Sequence, residues 1–165
     1  MIFVGIIGNR NSGKSTIIKS LSGCGNSSFR DYMDGFSNQS VYICCASPQE
    51  KRFVSGRKFD LAAIEETMQS AHKKVGCRGM VVAMQATGKS RLRPDYMSIF
   101  RAAKNNGFTE LYAFIVDPGY NDSASIKLEN TKELSELCVE VKRLSGKHFP
   151  HSNATYINNI SRIIF

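Results

Sequence analysis

The chain has 165 residues, ordinary apolar content and no low-complexity segment, which fits one domain with a substantial core and excludes disordered or collagen-like classes. No apolar run approaches membrane-spanning length, and the N-terminus lacks the charge and small-residue pattern of a signal peptide, so a cytoplasmic protein is expected. Lys and Arg outnumber Asp and Glu by 22 to 14, and the net charge of +8 favours an anionic partner, with RNA as the first candidate.

The first element is an apolar strand, Ile2 to Ile7, followed at once by Gly8-Asn9-Arg10-Asn11-Ser12-Gly13-Lys14-Ser15 and a helix-like segment to Leu21. The spacing is G-x-x-x-x-G-K-[ST] in its proper strand–loop–helix setting. The glycines allow backbone N–H groups and the helix N-terminus to point at a polyphosphate. Asn9, Asn11, Ser12, Gly13, Lys14, Ser15 and Thr16 are the expected phosphate-binding residues, with the Ser15 hydroxyl on Mg²⁺.

A polar stretch from Gly23 to Gln39 contains Asp31 and Asp34, and Ser40 to Ala46 is short and β-branched, hence a strand. Leu61, Ile64, Met68, Ala71 and Val75 recur at helical spacing. Gly79 to Gln85 reads as a buried strand, Pro94 to Asn105 as a helix ended by Asn105-Asn106-Gly107, and Leu111 to Asp117 as a strand. Leu134, Leu137, Cys138, Val141 and Leu144 predict a helix over Leu128 to Leu144, stopped near Gly146, and Ala154 to Ile157 predicts a last strand. Continuous apolar strands alternating with amphipathic helices imply an α/β fold, mainly a parallel sheet with helices on both faces. Right-handed crossovers would put the 8–15 turn at the carboxyl end of that sheet. The apolar end, Arg162-Ile163-Ile164-Phe165, suggests a final helix or a further domain downstream.

The five cysteines, Cys24, Cys44, Cys45, Cys77 and Cys138, are odd in number and contain no C-x-x-C, as expected of reduced thiols. His148 and His151 flank Phe149-Pro150 without thiol or carboxylate neighbours, which argues against a metal site. Basic groups occur at Lys51-Arg52 through Arg57-Lys58, at Lys73-Lys74 through Arg78, and at Lys89 to Arg93.

The order of elements, with Gly5-Ile6-Ile7-Gly8 through Gly13-Lys14-Ser15-Thr16 and Gly79 to Gly88, resembles the G domain of translational GTPases of the SelB and EF-Tu type, the archaeal SelB-like factors above all. The resemblance implies one P-loop G-like domain over residues 1–165, the N-terminal part of a longer elongation factor. It further implies GTP and Mg²⁺ as cofactors, and tRNA or the ribosome as partner. The chain departs from the family at several places. Ala46-Ser47-Pro48-Gln49-Glu50 stands where the family has D-C-P-G-H, no Thr lies between Thr16 and Thr67, and the guanine-reading N-K-x-D has no match near Val116-Asp117-Pro118-Gly119. Asp117 and Asp122 are the remaining candidates for base binding. Triphosphate binding with weakened guanine selectivity and slow or absent hydrolysis is therefore expected, and no catalytic residue is assigned. The alternatives are a small-molecule or polynucleotide kinase, with Asp31 as base, Arg91 and Arg93 as phosphate clamp and Asp117 near Mg²⁺, and a non-catalytic RNA-binding scaffold.

Overall fold

The computed structural model describes residues 1–23, 30–33, 38–48, 53–54, 57–58, 60–87, 94–121, 126, 131–137 and 139–164. In chain order the elements are β1 (Ile2–Gly8), α1 (Lys14–Ser22), β2 (Arg30–Met33), β3 (Ser40–Cys44), β4 (Phe53–Val54), β5 (Arg57–Lys58), α2 (Leu61–Lys73), β6 (Cys77–Gln85), α3 (Tyr96–Asn105), β7 (Glu110–Val116), α4 (Thr131–Glu136), β8 (Val139–Leu144) and α5 (Pro150–Ser161). The main sheet has the order β2-β3-β6-β1-β7-β8. Its strands from β3 to β8 are all parallel, and β2 adds an antiparallel edge on β3. The strands β4 and β5 form a separate two-stranded ribbon.

β1 lies between two parallel neighbours, with Ile2 opposite Gly79 on β6 and Glu110 on β7. Every residue of β1 is buried, because a central parallel strand is covered on both faces. The two faces carry two cores. Phe3 and Ile7 join Met80, Val82 and Met84 under Ile64 and Met68 of α2, Ile99 and Phe100 of α3, and Leu134 of α4. Val4 and Ile6 join Val81, Ala83 and Phe114 under Ile17 and Ile18 of α1 and Ile157 of α5. This alternation is the period of two expected of a strand. Helices α2 and α3 start at Asp60 and Asp95, whose carboxylates accept from Ala63 N–H (3.1 Å) and Ser98 N–H (2.7 Å).

The α/β architecture is thus as expected, but four local readings are corrected. The helix predicted to reach Leu144 stops at Glu136, and Val139–Leu144 is the edge strand β8, paired with β7 from Leu111–Val139 to Val116–Leu144. Leu134, Val141 and Leu144 match a helical stripe, but the alternation through Val139 and Val141 matches a strand, and pairing with β7 decides between them. Ala154 to Ile157 is not a strand but the middle of α5, where Ala154, Ile157 and Ser161 fall on one buried face against α1. The polar stretch after Gly23 holds a strand, β2. Helix α2 ends at Lys73, so Val75 is not on its apolar face but 96% exposed beside Gly76.

Cys44 and Cys45 are buried thiols and Cys77 is half-buried. Cys24, Asp34, Gln49, Glu50, Lys51, Arg52, the group from Gly88 to Arg93 that includes Arg91, Asp122, Leu128, Cys138 and Phe165 lie outside the described residues. Among the described residues, no helix is long and apolar enough to cross a membrane.

Candidate functional site

The carboxyl ends of β1, β7 and β8 open into one groove. The chain leaves β1 through α1 toward β3 on one side, whereas β7 continues through α4 to β8 on the other, with α1 and α4 on opposite faces of the sheet. A parallel sheet binds ligands where its connections diverge in this way. The groove is a cavity of about 630 Å³, lined by residues 11–17 after β1, residues 120–121 after β7 and residues 146–150 after β8. That volume is in the range of small-molecule sites.

The first wall is the 8–15 turn. Asn11 (φ 60°) and Gly13 (φ 98°) both adopt the left-handed conformation, which curls the chain into a concavity of backbone N–H groups suited to an anion. Asparagine tolerates this region and glycine does so freely. Helix α1 begins at Lys14 with no side-chain cap on its N-terminus, so its positive dipole end faces the groove. The Lys14 ammonium donates to the Gly8 carbonyl at 2.9 Å and the Asn9 carbonyl at 2.5 Å, and lies 3.4 Å from Ser12 Oγ. A buried cation is thereby held on the turn itself. Ser15 Oγ donates to the Cys45 carbonyl at 2.8 Å, which ties the end of β3 to the start of α1. Of the expected phosphate-binding residues, Asn11, Ser12, Gly13, Lys14, Ser15 and Thr16 line the groove, and Asn9 contributes the carbonyl that holds Lys14.

The other walls are locked to this turn by backbone contacts. Tyr120 N–H donates to the Ser12 carbonyl (3.1 Å), Gly146 N–H to the Pro118 carbonyl (2.8 Å), and Asp117 N–H to the Leu144 carbonyl (2.8 Å). Gly146 has no room for a side chain, since a Cβ would stand 2.7 Å from the Ser12 oxygen. Asn153 Nδ2 donates to the Ser145 carbonyl at 2.8 Å and anchors the same loop to α5.

The structure does not bring every candidate to the groove. The carboxylate of Asp117, 8% exposed, pairs with Arg143 of β8, whose guanidinium also donates to the Ile126 carbonyl at 3.2 Å. Asp117 is not among the lining residues, and Asp31 lies on the edge strand β2. His148 and Phe149 line the groove, whereas His151 stacks on Phe149 with ring centres 5.6 Å apart. Tyr120, Asn121, Gly146, Lys147 and Phe149 were not anticipated as site residues. The signal available was a second strand–turn–helix junction, Leu144-Ser145-Gly146 to Pro150, concealed by reading 139–144 as helix. No protein-family model matches this chain, and no curated protein matches it.

Proposed function

We propose that this chain is a P-loop, G-like domain that binds a nucleoside triphosphate in the groove after β1, with slow or absent hydrolysis. GTP is the nucleotide its resemblance implies, and the setting is a SelB-like translation factor acting with RNA in the cytoplasm. The observation that carries the reading is the left-handed turn at Asn11 and Gly13, which holds the Lys14 ammonium on the Gly8 and Asn9 carbonyls and lines a cavity of about 630 Å³ at the uncapped start of α1. The net charge of +8 supports a nucleic-acid partner.

Magnesium takes hard oxygen ligands and commonly arrives with substrate phosphates. Ser15 Oγ fits that role as the hydroxyl at the first turn of α1, while among the described residues no three or more His, Cys, Asp or Glu side chains are grouped so that they could hold a metal ion. Slow turnover is supported by the loop after β3. The Ser15–Cys45 bond brings it against the turn, and the next residue is the buried, unreactive Ala46 rather than a carboxylate. Phosphoryl transfer on such a site depends on positioning and charge stabilisation, which an alanine cannot provide.

Titration calorimetry with magnesium and inorganic triphosphate, GTP or ATP tests the reading. Binding is expected, and Lys14→Ala should weaken it about 30-fold or more, since charge-assisted hydrogen bonds to phosphate are lost. No affinity for any triphosphate would refute the proposal, and rapid guanine-selective turnover would refute its second half. A steep salt dependence of tRNA affinity that survives Lys14→Ala would favour the scaffold reading instead.

A further inference from the structure

We propose that the groove holds its nucleotide base between the rings of Tyr120 and Phe149, and that it accepts purine nucleoside triphosphates without distinguishing guanine from adenine. The inference rests on the triphosphate reading above.

Four large apolar side chains are exposed among the described residues, Val75, Tyr120 (63%), Phe149 (73%) and Tyr156, and two of them border this one groove. Both rings hang from fixed backbone. Tyr120 N–H is bonded to the Ser12 carbonyl of the 8–15 turn, which fixes the backbone that carries its ring. The Phe149 carbonyl accepts from Ser152 N–H (3.0 Å) and Asn153 N–H (3.3 Å), and Pro150 occupies the first position of α5 behind it. The Phe149 ring is further steadied by the face of His151, with an interplanar angle of 22°. Exposed aromatic rings on a pre-organised frame can bind a flat base with little further ordering. Such stacking is sequence-tolerant because every base has a π face, and larger purines offer more of it.

Among the described residues, the polar groups at this end of the groove do not encode guanine. Recognition of its N1–H and N2 amino donors by a side chain calls for a paired acceptor such as a carboxylate. Among the described residues no Asp or Glu lines the groove, and Asp117 at the end of β7 is engaged by Arg143. What lines it is Asn121, Lys147 and His148. An ammonium such as that of Lys147 donates equally well to the O6 and N7 of guanine or to the N7 of adenine.

The test measures magnesium-dependent affinity for GTP, ATP, UTP and inorganic triphosphate in the wild type, Tyr120→Ala, Phe149→Ala and Phe149→Trp. GTP and ATP should bind within about fivefold of each other, both about tenfold or more tighter than inorganic triphosphate, with UTP between. Each alanine variant should lose about five- to thirtyfold for the purine nucleotides and nothing for inorganic triphosphate, and Phe149→Trp should retain nucleotide affinity. A guanine preference above about a hundredfold would overturn the proposal, as would nucleotides bound no better than inorganic triphosphate, or equal losses for both ligands in Phe149→Ala. If inorganic triphosphate binds and the rings prove dispensable, the base clamp alone fails. If nothing binds the wild type, the triphosphate reading fails with it.

Discussion

Gly146 is the point at which the loops after β1, β7 and β8 meet, and Gly146→Ala tests whether that junction builds the site. A methyl there would stand 2.7 Å from the Ser12 carbonyl oxygen and 2.7 Å from the Tyr120 nitrogen. Those two atoms are themselves hydrogen-bonded across 3.1 Å. Ordinary contact begins at 3.4 Å, so each neighbour must retreat by about 0.7 Å. Both are backbone and cannot rotate away as a side-chain tip would. Overpacking of this kind costs about 1–3 kcal/mol, and loss of the Tyr120–Ser12 bond adds about 1 kcal/mol. For a chain of this length each kcal/mol lowers Tm by about 2–4 °C, so the variant should melt about 4–16 °C lower. Because Ser12 belongs to the turn proposed to bind phosphate, affinity for inorganic triphosphate at a temperature where the variant is still folded should fall about tenfold, which corresponds to about 1.4 kcal/mol. Differential scanning calorimetry and titration read the two effects. A variant that melts within about 1 °C of the wild type and binds as well would show that the three loops are not coupled through Gly146.

Two further outcomes follow from the cores. Phe100 is fully buried and meets Phe3 edge-on with ring centres 5.2 Å apart, so Phe100→Ala should cost about 3–5 kcal/mol in urea denaturation, and a loss below about 1 kcal/mol would contradict the packing described. The Tyr112 phenol is raised above its usual pKa of 10.0 by burial first, and then by the carboxylates of Glu110 and Glu140. The unfolded chain therefore releases this proton before the folded one does. The tyrosine's contribution to stability is complete below pH 10.0 and is lost as pH rises through the elevated folded value. Tyr112→Phe should flatten that part of the alkaline denaturation profile, and parallel loss in the two proteins would count against this cause.

What the sequence determined by itself was local. An apolar strand, the 8–15 turn and helix α1 are consecutive, so motif spacing alone placed Lys14 and Ser15 at a strand–turn–helix junction. The alternation of apolar runs with amphipathic stretches likewise implied a parallel sheet with helices on both faces, because a strand covered twice must be apolar throughout. The tertiary structure alone decided the rest. Residues 139–144 satisfy helical and strand periods at once, and the hydrogen-bond partners on β7 select the strand. The Asn-rich segment of α5 has weak helix propensity, and burial of Ala154 and Ile157 against α1 supplies what the local sequence lacks. The far walls of the groove, Tyr120 and residues 146–150, were invisible for the same reason. They come from the ends of strands distant in the chain, and only sheet order and backbone contacts to Ser12 bring them opposite Lys14.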